Sequence, residues 1–184
     1  LRGDLPPHRL PLIPGHQVVG EVLSPGPLHG RRVGLVWLAR ACGTCRFCRR
    51  GQENLCEAAT FTGWDRDGGY AELVTAHKDF VHLLPAGDPV AIAPLLCGGV
   101  IGFRSLRVAG IGPQSAGRRV GFFGFGASAT IAIQVANRWG CEGYVVTRSL
   151  AEVTRARDLG AAWAGTYDQQ VPVPLDAAIT FAPS

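Results

Sequence analysis

Four cysteines set the strongest constraint on this chain. Cys42, Cys45, Cys48 and Cys56 are spaced C-x2-C-x2-C-x7-C. Four thiols that close in sequence can wrap one tetrahedral Zn²⁺ with Zn–S distances of about 2.3 Å. Any fold must then present residues 42–56 as a loop closed on itself. Gly43 and Gly51 supply the backbone freedom for that closure. Arg46, Arg49 and Arg50 lie inside the loop, where they could offset the double negative charge of a zinc tetrathiolate. A disulfide-bonded set, as in a secreted domain, is the competing reading. A zinc ribbon of the nucleic-acid-binding kind is excluded by spacing, since it separates two C-x-x-C pairs by about 15–20 residues. A closed four-sulfur centre has no open coordination position, so its role is structural.

The residues around the loop read as β-structure. Val18–Leu23 and Arg32–Trp37 are short apolar runs separated by the turn Ser24-Pro25-Gly26-Pro27. Tyr70–Val74 and Phe80–Leu84 are expected as two further strands. From Ala93 the texture changes. Ala93–Val108 is compatible with a helix, and Arg119–Gly124 reads as a strand apolar on both faces, as a parallel strand covered by helices requires. Ala129, Ala132, Ile133 and Ala136 recur at helical spacing. Tyr144–Thr147 is the next strand. Ser149 and Glu152 then predict a capping box opening a helix that stops at Gly160. The alternation predicts a right-handed parallel α/β unit after an all-β region. Two domains are expected, 1–94 and 95–184.

Between the first of these strands and its helix lies Gly124-Phe125-Gly126-Ala127-Ser128-Ala129, a G-x-G-x-x-A turn. The strand–turn–helix context is what raises such a motif above chance. Gly124 permits the tight turn, Gly126 lets a pyrophosphate approach the backbone, and Ala129 is small enough for close helix–strand packing. The phosphates would meet the helix amides and the positive end of its dipole. Ala127 stands at that helix start. An NAD-specific unit places a carboxylate about 20 residues after the glycines. Here that place holds Thr147, followed by Arg148. A hydroxyl and a guanidinium suit a 2′-phosphate, hence NADP over NAD. An ordinary solvent-facing arginine is the plainer alternative. A nucleotide-binding domain beside the cysteine loop points to a reducing cytoplasm and favours zinc over disulfides.

His16, in Pro14-Gly15-His16-Gln17, and Cys97, in Leu96-Cys97-Gly98-Gly99, are weak metal-ligand candidates when taken singly. A lone histidine is more often structural, and a buried cysteine is a common small hydrophobe. Cys141 is read as such a packing residue. The net charge is +4, with one lysine, Lys78, and the chain is 47% hydrophobic and 17% charged. That composition supports a globular core; the mild positive charge is only a weak argument for nucleic acid, which is not expected as a partner. No apolar run is long enough to span a membrane. The chain has no methionine and begins at Leu1, which is read as a piece of a longer protein.

These motifs, in this order, resemble the zinc-dependent alcohol dehydrogenases of the medium-chain dehydrogenase/reductase superfamily. The carriers are Pro14–Gly20, the four-cysteine loop, Asp67-Gly68-Gly69-Tyr70-Ala71-Glu72, Cys97 with its glycines, and Gly124-Phe125-Gly126. The resemblance implies a partial GroES-like β-domain, then the first half of a Rossmann domain, with a catalytic zinc between them. It assigns His16 and Cys97 as catalytic-zinc ligands and Cys42, Cys45, Cys48 and Cys56 as structural-zinc ligands. It also places Trp37 in the substrate pocket, although an aromatic core residue would look the same.

The chain departs from the family pattern. A third zinc ligand and the proton-relay residues are expected before Leu1, and Gln17 stands where the family usually has Glu. Gln can offer zinc only a neutral carbonyl, or steady His16 from beside it. The expected activity is hydride transfer between an alcohol or aldehyde and NAD(P) in a full-length homo-oligomer, and this chain alone is not expected to turn over. A zinc-independent quinone-type reductase and a non-catalytic zinc-stabilised nucleotide-binding module remain as alternatives.

Overall fold

A computed structural model describes residues 9–182. Leu1 and Ser184, the outer limits of the two expected domains, lie outside the described residues. The chain forms two compact units that divide between Cys97 and Gly98.

The first unit is built on short antiparallel strands. β1 (Val18–Glu21) pairs with β2 (Arg32–Leu35), Val18 opposite Leu35 and Glu21 opposite Arg32. The Pro/Gly turn between them keeps the pair in register. β3 (Leu38–Arg40) and β4 (Thr60–Phe61) form a separate two-stranded ladder with an irregular register, and the cysteine loop hangs between them. β5 (His82–Leu83) adds to the other edge of β2. In β2, Val33 and Leu35 are buried. Gly34 lies between them because Leu96 packs onto the strand: a Cβ there would sit 2.8 Å from the Leu96 Cδ2.

The expected strand at Tyr70–Val74 does not form. A strand needs a neighbour to take its amides. Gly68, Gly69 and Tyr70 instead donate to the carbonyls of Ile13, Gly15 and Pro14 at 2.7, 3.0 and 3.0 Å, and residues 71–74 join no ladder. Tyr70 and Leu73 point outward. The helix expected over Ala93–Val108 is also broken. α1 (Pro89–Ile92) runs into a 3₁₀ turn over Ala93–Leu96, and Cys97 interrupts it at φ −132°, ψ −70°.

The second unit is a parallel α/β layer. α2 (Gly98–Val108) precedes β6 (Arg119–Phe123), α3 (Ala127–Arg138), β7 (Glu142–Thr147), α4 (Leu150–Asp158), β8 (Trp163–Thr166) and β9 (Ala177–Thr180). The sheet order is β8-β7-β6-β9, all parallel. The strand order therefore reverses beside β6, and in open α/β sheets the ligand crevice lies outside the carboxyl ends of the strands at that reversal. Ala129, Ala132, Ile133 and Ala136 are all fully buried, as their spacing predicted, against Phe122 and Val145 of the sheet. Among the described residues, no single helix is long and apolar enough to cross a membrane.

Candidate functional site

The cysteine loop closes as its spacing requires. The sulfurs of Cys42, Cys45, Cys48 and Cys56 all lie within 4.8 Å of one another. Cys42 Sγ is 3.9 Å from Cys48 Sγ, which is 3.5 Å from Cys45 Sγ. Four sulfurs around a tetrahedral zinc at about 2.3 Å would be about 3.8 Å apart, so the donor set fits that ion. The backbone holds the sulfurs in place. The amide of Cys45 donates to Cys42 Sγ at 3.3 Å, that of Cys48 to Cys45 Sγ at 3.5 Å, and that of Cys42 to Cys56 Sγ at 3.4 Å. Amide donation near Thr44 and Cys45, with the Thr44 hydroxyl, lowers the Cys42 thiol to about 6. Desolvation, with neighbouring thiols, pushes Cys48 up to about 12. A metal ion bound by the four sulfurs would take the place of their protons. The Arg46 guanidinium lies 4.6 Å above the Phe47 ring and 3.9 Å from the Glu57 carboxylate.

A second feature of the same unit positions His16. Asp67 Oδ1 accepts from the Ile13 amide at 3.1 Å, and Gly68, Gly69 and Tyr70 bond the carbonyls of residues 13–15. The packing leaves no room for side chains. A Cβ on Gly68 would overlap the Gly15 carbonyl, and one on Gly63 would sit 2.8 Å from the Gly15 nitrogen. This clamp fixes the Pro14-Gly15-His16 turn, and the His16 imidazole meets Trp37 edge-on at 5.2 Å between centroids. Trp37 stacks on Phe61 at 4.9 Å, and 41% of it stays exposed. Thr62 donates to the Val36 carbonyl at 2.8 Å, tying down the backbone beside Trp37. Gln17 is exposed and Cys97 half-buried. Among the described residues, neither His16 nor Cys97 belongs to a group of three or more metal-ligating side chains.

In the second unit the glycine-rich turn sits at the carboxyl end of β6. Gly124 has φ +90°, and its missing Cβ makes room for Ala182, whose nitrogen would lie 2.7 Å away. Gly126 differs: φ is −81°, and a Cβ there would meet nothing within 4 Å. The protein's own packing does not require a glycine at 126, whereas a closely approaching phosphate does. No side chain caps α3, which leaves its first-turn amides for an anion. Gly126 and Ala127 are exposed and Ala129 is fully buried. These features fit a dinucleotide.

The strand end beside the turn differs from expectation. Ser149 precedes α4 without a side-chain cap bond, so the capping box does not form. Its intended partner is engaged elsewhere: the Thr147 hydroxyl donates to the Glu152 carboxylate. Thr147 is 2% exposed, so its hydroxyl faces Glu152 rather than the crevice. Arg148 is exposed. The offset rule counts along the chain and missed Glu152, which the first turn of α4 folds back to the end of β7.

Residues 1–86 match the alcohol dehydrogenase GroES-like domain. The chain is 50% identical to the probable alcohol dehydrogenase AdhA of Mycobacterium tuberculosis, over 98% of this chain and 55% of that protein. It is similar to the zinc-type alcohol dehydrogenases. An alcohol dehydrogenase of Geobacillus stearothermophilus is 42% identical over 86% of this chain and 48% of its own length. The chain thus spans about half the length of the curated relatives it matches. Among solved structures, the Helicobacter pylori CAD complexed with NADP(H) superposes with a TM-score of 0.85, at 26% identity, covering 96% of this chain and 54% of that one. A cobalt- and zinc-bound thermostable alcohol dehydrogenase from Pyrobaculum aerophilum superposes at 0.77 with 29% identity, over 90% of this chain and 52% of that one. The partial GroES-like domain and the start of a Rossmann domain, both expected from the sequence, are the folds of this family.

Proposed function

We propose that the protein is a zinc-dependent alcohol dehydrogenase that transfers hydride between a small alcohol or aldehyde and NADP in preference to NAD. The observation that carries this reading is the Asp67-Gly68-Gly69 clamp, which holds His16 against the exposed indole of Trp37. A histidine fixed by backbone packing beside an apolar wall suits a metal ligand next to a substrate. His16 and Cys97 are the ligands proposed for the reactive metal, with Gln17 beside His16 as a neutral acceptor. Trp37 is proposed as a wall that excludes water from the alcohol carbon. Zinc held by His16 and Cys97 would supply Lewis acidity toward an alcohol oxygen, and a dinucleotide held at Gly124 and Gly126 would supply the hydride acceptor.

Cys42, Cys45, Cys48 and Cys56 are proposed to hold a separate, structural zinc that keeps residues 42–56 folded. On the cofactor side, Gly124 and Gly126 admit the pyrophosphate to the α3 amides, with Ala127 and Ala129 at the helix start. Arg148 offers a 2′-phosphate a charge-assisted bond. Among this chain's own residues the NADP preference rests on Arg148, because the Thr147 hydroxyl is held by Glu152. It is supported by the NADP(H) bound in the Helicobacter pylori relative.

Cobalt titration tests the metal assignment. A tight site with a tetrathiolate spectrum, unaffected by His16→Ala, and a second, weaker site lost in both His16→Ala and Cys97→Ser are expected. A second site indifferent to both substitutions would refute the assignment of His16 and Cys97.

A further inference from the structure

The crevice edge of the second unit carries a carboxylate that the strand-end rule does not count. β6 and β7 are parallel neighbours, Phe123 opposite Val146, so the phosphate turn and the end of β7 share one edge of the sheet. They are also bonded directly: the Gly124 amide donates to the Val146 carbonyl at 2.8 Å. Glu152 bridges this junction from the first turn of α4. One of its carboxylate oxygens accepts from Thr147 at the end of β7. The other lies 3.9 Å from the Arg155 guanidinium. Arg155 in turn donates to the carbonyl of Phe125, inside the phosphate turn, at 2.7 Å, with its guanidinium 5.6 Å above the Phe125 ring. Thr147, Glu152 and Arg155 thus connect the residue that ends β7 to the turn that receives pyrophosphate. The adenosine ribose of a bound dinucleotide lies between those two elements.

We propose that Glu152 is a specificity-determining residue for the cofactor: its carboxylate accepts a ribose 2′-hydroxyl and disfavours a 2′-phosphate, limiting the NADP preference that Arg148 confers. A carboxylate has about four lone-pair sites, and the Thr147 hydroxyl takes one. The side chain is one-third exposed, so it is not sealed from a ligand. A 2′-hydroxyl can donate to it. A 2′-phosphate brings roughly −1.5 to −2 charges and no comparable donor. Arg155 holds the phosphate turn by its carbonyl and faces the other carboxylate oxygen, so it orients Glu152 without fully neutralising it. Arg148 and Glu152 therefore pull in opposite directions at one ribose position, and the protein accepts both cofactors with a graded preference.

The inference rests on the cofactor reading given above, and its test separates the two. The probes are 5′-AMP and adenosine 2′,5′-bisphosphate, which carry the discriminating part of NAD and NADP. Their affinities for the chain are measured by calorimetry in the parent and in Glu152→Gln, Thr147→Val and Arg148→Ala. Glu152→Gln keeps an acceptor for Thr147 but removes the charge. It should raise the bisphosphate-to-AMP affinity ratio about tenfold, the lower end of the range for a bond to a charged group because the site is partly exposed. Its melting temperature should stay unchanged. Thr147→Val breaks the same hydrogen bond and keeps the charge, so the ratio should stay within about twofold. A rise in Thr147→Val equal to that in Glu152→Gln would mean a structural effect and overturn the proposal. So would an unchanged ratio in Glu152→Gln. Arg148→Ala should lower the ratio. If it does not, while Glu152→Gln still raises it, the NADP preference fails and the role of Glu152 stands. Failure of both probes to bind would overturn the cofactor reading and the Glu152 assignment together.

Discussion

Replacing Gly68 with alanine should unlock His16. The added methyl overlaps the Gly15 carbonyl and lies 2.9 Å from the Gly63 Cα, and all of these neighbours are backbone. No rotamer change relieves the clash, so the two segments must separate. Overpacking of this kind costs about 1–3 kcal/mol. Separation also weakens the Gly68-to-Ile13 and Gly69-to-Gly15 hydrogen bonds, now 2.7 and 3.0 Å, each worth about 1 kcal/mol net. A total loss of about 2–4 kcal/mol should lower the melting temperature by roughly 5–15 °C for a chain of this size. The weak cobalt site assigned to His16 should lose affinity at the same time, because the Pro14-Gly15-His16 turn moves. Gly20→Ala is the matched control. A methyl there meets nothing within 4 Å, so stability should change by less than about 0.5 kcal/mol. Scanning calorimetry with cobalt titration reads both effects. If Gly68→Ala melts with the parent, or loses stability while binding cobalt normally, the clamp does not position His16.

Further outcomes follow from the same geometry. Gly126→Ala should leave the melting temperature unchanged, since its methyl meets no protein atom, yet weaken nucleotide binding about tenfold; equal binding would place the phosphates elsewhere. Gly124→Ala should cost about 1–3 kcal/mol in denaturant titration, because it combines φ +90° with contact on Ala182. Cys48→Ser or a strong chelator should abolish the loop zinc and speed amide exchange across residues 42–56 while leaving β6–β9 protected; uniform loosening of the whole chain would contradict a local role. Ile133→Ala, at a fully buried position, should cost about 2–4 kcal/mol in denaturant titration; a loss under 1 kcal/mol would mean that α3 does not seal the sheet.

Local patterns in the sequence were legible where one element decides its own environment. The buried face of α3 follows from helical spacing alone, and β6 shows its covered position through apolar residues on both faces. The cysteine loop was equally readable, because the four ligands are close along the chain. Long-range choices were not. Tyr70–Val74 reads locally as a strand, but its neighbours 13–15 take the preceding amides and leave it without a ladder. β3 and β4 are three and two residues long, below the length at which alternation is visible. The Ser149 capping box failed because Thr147 competes for the Glu152 carboxylate, a contact that requires the strand and helix to be placed first. At the metal site assigned to His16, the sequence supplied residue identities through resemblance. The structure added the Asp67–Gly69 clamp and the Trp37 contact, which give His16 a fixed position.

The central claim is that His16 serves the chemistry and the four cysteines serve the fold. Its most direct test is the rate of alcohol-dependent NADP reduction by the whole protein and by its His16→Ala variant, compared at equal loop-zinc content. The account predicts turnover in the parent and a loss of at least about a hundredfold in His16→Ala, with the tetrathiolate zinc retained. Undiminished turnover in the variant would contradict it.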